Sequence, residues 1–490
     1  MYRFFEILPG ILAWLTILLM VFLSWSEPLW ASIFIIVFDI YWFLKSIYLS
    51  LHLRAAFKEL RKNVRINWLE RLNYVGKKWE NIYHLIIFPI YKEPYEVAKE
   101  SFVALLDTNY PKDKFIVVLA TEEKAGAEAQ ETAHKIQEEF ADRLFRFLVT
   151  IHPADIPGEL PGKGSNETWA ARKTKAEIVD LLELKYEDIL VSVFDIDTQV
   201  PKNYFGILTH KFLTTEFPQN SSFQPVPLYI NNIFQAPALA RIFAFSSTFW
   251  HMIQQQRPEQ LTTFSSHSMP FKALVETGFW NTNVVSEDSQ IFWQCYLHYN
   301  GNWRVVPLFY PVSMDANVAP TFWKTMVNIY KQQRRWAWGV ENIPYVLYGF
   351  TKNKFIPAKN KIYWTFKKIE AFHSWSTNAI IIFALGWLPL FLGGADFNLT
   401  VLSYNLPWVT RNIMTAAMIG IISSAVISII LLPPKPSWFK KRHYLLYTIQ
   451  WLLMPFTLII FGALPALDAQ TRLMLNGKFR LGFWSTPKYR

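Results

Sequence analysis

Two apolar runs near the start, ILAWLTILLMVFLSWS (11–26) and LWASIFIIVFDIYWFLKSIYL (29–49), constrain this chain more than any other feature. Each approaches the roughly 20 residues that a helix needs to cross a bilayer. No small-residue cleavage site follows the first run, so the pair reads as two spans joined by a short SEP turn, not as a removed signal peptide. Lys45, Arg54, Lys58, Arg61, Lys62 and Arg65 follow. By the positive-inside rule they put the chain from about residue 50 onward, and the N-terminus with it, in the cytoplasm.

Three further apolar stretches lie toward the other end, at 374–394, 412–432 and 444–467. The loop PPKPSWFKKRHY between the last two is basic, and so is the tail TRLMLNGKFRLGFWSTPKYR. Both favour the cytoplasm, yet one full span between them would separate them. The third stretch, with Pro455 and Pro465, is therefore open to being re-entrant, bent or interfacial.

Between the apolar ends the chain reads as soluble. Its net charge is +11, with the basic residues gathered beside the apolar segments. No long Lys/Arg tract or RNA-binding signature appears, so nucleic acid is excluded as the partner and the lipid bilayer takes its place. Cys295 is the single cysteine, which excludes an internal disulfide framework and a Cys-based zinc site. Buried-strand patterns at 81–94, 113–123, 146–152 and 188–200 alternate with helical ones at 95–107 and 164–184. That alternation predicts a parallel, doubly wound α/β sheet that binds ligands at the carboxyl ends of its strands.

Several motifs fall at such ends. FDIDT (194–198) puts Asp195 and Asp197 two apart, on one face if the strand runs through them, a seat for Mg2+ or Mn2+ and an anionic diphosphate. SED (286–288) opens a helical run; Ser286 reads either as an N-cap with two acids favoured by the helix dipole, or as the neighbour of a general base. PIYKEP (89–94) follows the first strand, and PGKGSN (161–166) sets Lys163 beside glycines before a helix. In YKQQRRWAWG (330–339) an interfacial amphipathic helix accounts for Lys331, Arg334 and Trp338. It does not account for Gln332, Arg335 and Trp336: an arginine fork matches diphosphate oxygens, and a tryptophan face matches a sugar ring.

Taken together, two N-terminal spans, PIYKEP, GKGSN, FDIDT, SED, QQRRW, C-terminal spans and a final FWSTPK resemble the membrane-embedded family 2 glycosyltransferases, the processive synthases that include cellulose and hyaluronan synthases. The resemblance implies a cytosolic glycosyltransferase A-type nucleotide-binding domain inserted between N- and C-terminal transmembrane helices. It divides the chain into spans (1–50), the transferase domain (51–316), interface helices carrying QxxRW (317–372), a C-terminal membrane region (373–468) and a gating-loop-like tail (469–490). Pro89, Tyr91 and Glu93 match the loop beside the nucleotide base, and Lys163 a lysine near the donor. Asp195 and Asp197 match the D-x-D that binds donor and metal, and Asp288 the base for the acceptor hydroxyl. Gln332 and Arg335 would meet the diphosphate, Trp336 the acceptor sugar, and Thr486 and Lys488 would gate the donor. LATEEK departs from the aspartate that many relatives carry after the second strand, and leaves Glu122 as the base contact. The implied partners are a UDP- or GDP-sugar and a glycan or lipid-linked acceptor, at the plasma (inner) membrane. Two rivals remain: transfer of one sugar to a lipid-linked acceptor, and a catalytically inactive membrane transport or scaffold protein.

Overall fold

The computed structural model describes residues 1–489. Seven strands form one sheet: β1 (Tyr83–Pro89), β2 (Phe115–Glu122), β3 (Arg146–His152), β4 (Ile189–Val193), β5 (Ser221–Tyr229), β6 (Ser268–Pro270) and β7 (Arg304–Met314), in the order β3-β2-β1-β4-β6-β5-β7. The four strands expected from the sequence make its parallel half, with β1 between β2 and β4. Both faces of β1 are covered, which is why it reads as an unbroken apolar run. Leu85 and Ile87 face a core that includes Trp280 and Trp293, while Ile86 and Phe88 face Phe102, Phe115 and Phe205.

The other half departs from a purely parallel sheet. The three-residue β6 runs antiparallel to both β4 and β5, and β7 then pairs parallel with β5. β6 follows the helix Ala238–Gln255 and a loop, and enters the sheet at the end where β5 leaves it. FDIDT also differs from expectation: β4 stops at Val193, and Asp195 and Asp197 lie in the turn that follows.

Among the described residues four helices are long and apolar enough to cross a membrane: Tyr2–Ser26, Pro28–Val64, Val401–Ile430 and Lys441–Leu475. A bent pair, Ala358–Phe383 and Leu385–Leu392, would be a fifth. The 37-residue helix Pro28–Val64 continues unbroken through position 50. Its later turns, with Leu53, Ala56 and Leu60, join the apolar cluster of Val226 and Leu228 on β5 and so fasten the sheet to this long helix. The sharp bend falls in the stretch at 374–394, 44° after Phe383, where Gly386 and Pro389 follow. The stretch with Pro455 and Pro465 is one long apolar helix eased by a 3-10 turn and a π turn. Its final part, Leu464–Leu475, packs on Tyr2–Ser26 at Gly10, where a Cβ would stand 2.8 Å from the Cβ of Met474. Arg3 and Arg480 both bind the buried carboxylate of Glu6, at 3.0 and 2.9 Å, and fix where the C-terminal tail begins.

Candidate active site at the carboxyl edge of the sheet

The turn after β4 carries the two aspartates into a lysine clamp. Asp195 accepts from Lys163 Nζ at 2.8 Å through Oδ1 and from Ser265 Oγ at 2.9 Å through Oδ2. Asp197 is fully buried; its Oδ2 accepts from Lys488 Nζ at 2.6 Å and from the backbone N–H of Asp315 at 2.9 Å. Its Oδ1 is buried with no hydrogen-bond partner among the described residues. Burial pushes the Asp195 carboxyl up, but Lys163 and Lys488 overrule it and hold it below the ordinary range. Asp315, just past β7, is pushed up to about 8 by burial and then by Asp197, against the pull of Lys488. Lys163 opens the helix Lys163–Thr174 and also lies 3.4 Å from the buried Glu167, whose carboxyl burial raises to about 8.

Asp288 stands in the first turn of the helix Glu287–His298. Burial raises its carboxyl, Lys163 and Arg335 pull it down, Asp195 pushes it up, and the net direction is upward. Ser286 does not cap this helix. Its hydroxyl donates to Glu341 Oε1 at 2.8 Å, and the N–H groups of Ser286 and Val285 donate to the same oxygen at 2.9 and 3.0 Å. Glu341 thus ties the SED turn to the segment just after QQRRW.

The helix Phe322–Ala337 divides QQRRW by face. Gln332 accepts from Asn317 Nδ2 at 3.2 Å. The Nε of Arg335 is buried without a partner among the described residues, and its guanidinium lies 5.3 Å over the ring of Phe483. Trp336 packs between Tyr229 and Phe243, with ring centroids 6.0 and 5.8 Å away. Arg334 is drawn to Asp468 at 2.9 Å. Trp338, expected at the membrane interface, is fully buried instead and donates to Glu341 at 2.9 Å, because the helix ends at Ala337 and the 3-10 turn Trp338–Glu341 carries this ring into the protein core.

The first loop completes the edge. Pro89 ends β1 opposite Ala120, and Glu93 folds back to accept from the N–H groups of Tyr91 at 2.7 Å and Lys92 at 3.1 Å. Glu122 ends β2 beside a cavity of about 320 Å3. The tail crosses over these elements: Phe483 packs on Gly162, Trp484 lies under Lys331 at 5.6 Å, Thr486 buries an unpartnered hydroxyl, and Lys488 reaches Asp197. Lys163, Asp195, Asp197, Asp288, Arg335 and Lys488 therefore share one field of charge. Glu93, Glu122 and the tail border it, and Gln332 and Trp336 approach from the helix below. The motifs did not point to Glu341, Asp315, Ser265, Asn317 or Glu167. Only Asp315 carried a signal, as an acid just beyond a strand's carboxyl end.

Among the described residues no group of three or more His, Cys, Asp or Glu side chains gathers to hold a metal. Mg2+ needs only one or two carboxylates when phosphates supply the rest. The open Oδ1 of Asp197, with Asp195 nearby, fits that donor set.

Gly162 gives the tail its seat. Its φ is +142°, and a Cβ there would fall 2.5 Å from Cγ of Phe483. Gly162→Ala is expected to lift Phe483 and loosen the tail, seen as faster tryptic cleavage after Arg480 and Lys488. An unchanged cleavage rate would mean that Phe483 does not hold the tail down.

No protein-family model matches the chain, and no curated protein matches it. Solved structures do resemble it in part. The mannosyltransferase PcManGT from Pyrobaculum calidifontis, in complex with GDP-Man and Mn2+, is 14% identical; the match covers 78% of this chain and 99% of that one, with a TM-score of 0.44. S. aureus TarS 1-349 in complex with UDP-GlcNAc is 11% identical over 70% of this chain and 90% of that one, with a TM-score of 0.38. Likenesses of this depth carry no functional weight, and the functional reading rests on the residues themselves.

Proposed function

We propose that this chain is an inverting glycosyltransferase that moves a sugar from a nucleotide-sugar donor to a growing polysaccharide or membrane-associated glycan. The reading is carried by one convergence: the Lys163–Asp195 and Lys488–Asp197 pairs, Asp288 and the open donor of Arg335 meet at the carboxyl edge of the sheet, the usual binding edge of an α/β fold. In the reaction Asp288 takes the proton of the acceptor hydroxyl. The hydroxyl oxygen attacks the anomeric carbon opposite the diphosphate, whose C–O bond breaks and whose oxygen keeps the electron pair. Arg335 and Lys163 meet the charge that gathers on it. Mg2+ or Mn2+ on Asp197 and Asp195 would add Lewis-acid charge to the diphosphate oxygens. Gln332 positions the diphosphate, Trp336 gives the acceptor sugar an apolar floor, and Thr486 and Lys488 close over the donor. Pro89, Tyr91, Glu93 and Glu122 border the base. The basic flanks of the spans support a site on the cytoplasmic face of a plasma (inner) membrane.

The test is a panel of UDP- and GDP-sugars incubated with the full-length protein in detergent, with Mn2+, Mg2+ or EDTA. At least one donor is expected to release nucleotide in a metal-dependent way, with EDTA abolishing release and Mn2+ restoring it. Chromatography of labelled product then separates a polymer from a single lipid-linked sugar. Release from none of the donors would return the chain to the scaffold class.

A further inference from the structure

The cavity at the ends of β2 and β3 is lined by three carboxylates, of which two, Asp155 and Glu159, are paired and one, Glu122, is open. Glu122 is 9% exposed, and its carboxylate accepts no hydrogen bond from any described residue. His152 Nε2 is paired with Glu159 Oε2 at 2.9 Å, and Lys124 is held by Asp155 at 2.7 Å. Ile156 and Leu160 supply apolar wall. The loop that builds this wall, HPADIPGELPG, runs from the end of β3 to Lys163. At about 320 Å3 the cavity lies at the small end of ligand clefts (roughly 300–1,000 Å3), suited to one ring system and not to a whole nucleotide-sugar. Its place is also defined. Glu93 lies close enough to act electrostatically on both Glu122 and Asp197, so the cavity sits one loop away from the diphosphate seat.

We infer that this cavity takes guanine, and that the donor is a GDP-sugar recognised through Glu122. The inference rests on the donor-site reading above and names its base. A carboxylate offers two acceptor oxygens side by side. Guanine alone among the common bases matches them with two adjacent donors, N1–H and the N2 amine. Uracil has a single N3–H flanked by two carbonyls, which would face the second carboxylate oxygen. Adenine and cytosine each set a ring acceptor beside their amine, and that lone pair would meet the carboxylate. A buried carboxylate left without donors is costly, so the wrong base is penalised as well as poorly held.

The experiment is calorimetric titration of the full-length protein in detergent and Mn2+ with GDP, IDP and UDP. GDP is expected to bind about ten- to a hundredfold more tightly than UDP. IDP, which keeps N1–H and lacks the amine, is expected to fall between them, and this arm needs no mutation. Glu122→Gln, checked for an unchanged unfolding temperature, is expected to erase the preference for GDP, so that GDP and UDP bind within about threefold of each other. UDP binding as tightly as GDP, or a preference that survives Glu122→Gln, would overturn the guanine assignment. If that UDP binding is lost in Asp197→Asn, the donor-site reading stands while the base assignment falls. Failure of all three nucleotides to bind overturns both.

Discussion

Asp288→Asn is expected to cut nucleotide-sugar turnover by about 10²- to 10⁴-fold, the usual worth of a positioned general base, while donor affinity stays near that of the parent. The substitution keeps the shape of the side chain and removes its basicity. Glu341 still holds the SED turn through Ser286 and Val285, so the loop stays in place. The environment also predicts a pH dependence. Burial and Asp195 raise the Asp288 carboxyl above its ordinary 3.8, against Lys163 and Arg335. Only the deprotonated form can take a proton, so kcat should fall as pH drops through that raised value, and the acid limb should lie above that of a free aspartate. A variant that keeps its turnover, or a parent whose acid limb lies at or below the ordinary aspartate range, would move the base elsewhere.

The parallel half of the sheet was legible because strands buried on both faces read as apolar runs that end in turn residues, as LIIFP and FIVVLATE do. β6 was not legible, since three residues carry no period. Asp195 and Asp197 were visible as a pair, but their clamp was not. The Lys488–Asp197 contact joins residues 291 apart, and no local pattern encodes a separation of that kind. The same holds for Glu341, which looks like an ordinary surface acid in WAWGVE until Ser286 is folded against it. Trp338 shows the opposite failure: in sequence it looks like Trp336, two residues earlier, but the amphipathic helix ends between them. One lines the candidate acceptor floor, and the other is core. The long apolar helices were legible by composition. The bend between Phe383 and Leu385 was not, because the prolines of the 444–467 stretch looked like stronger breakers than Gly386 and Pro389.

Arg335→Ala is expected to lower kcat by roughly 10²- to 10³-fold, the cost of losing one preorganised donor aimed at developing charge. Three observations set that size. The guanidinium keeps an Nε–H buried and unpartnered among the described residues, a donor already stripped of water. Phe483 packs against its face at 5.3 Å, which holds the fork in plane without using its hydrogen bonds. Arg335 also acts on Asp288, so the same charge that would steady the departing diphosphate restrains the base. Removing it should therefore do two things at once: depress kcat and move the acid limb of the pH profile upward, because Asp288 loses a neighbour that favours its charged form. Arg335→Lys would restore the charge but not the planar fork, and should recover the position of the limb more fully than the rate. A loss of rate with an unmoved limb would place Arg335 on the diphosphate alone. A rate within about tenfold of the parent would mean that Lys163 and Lys488, already paired with Asp195 and Asp197, carry the leaving charge without it.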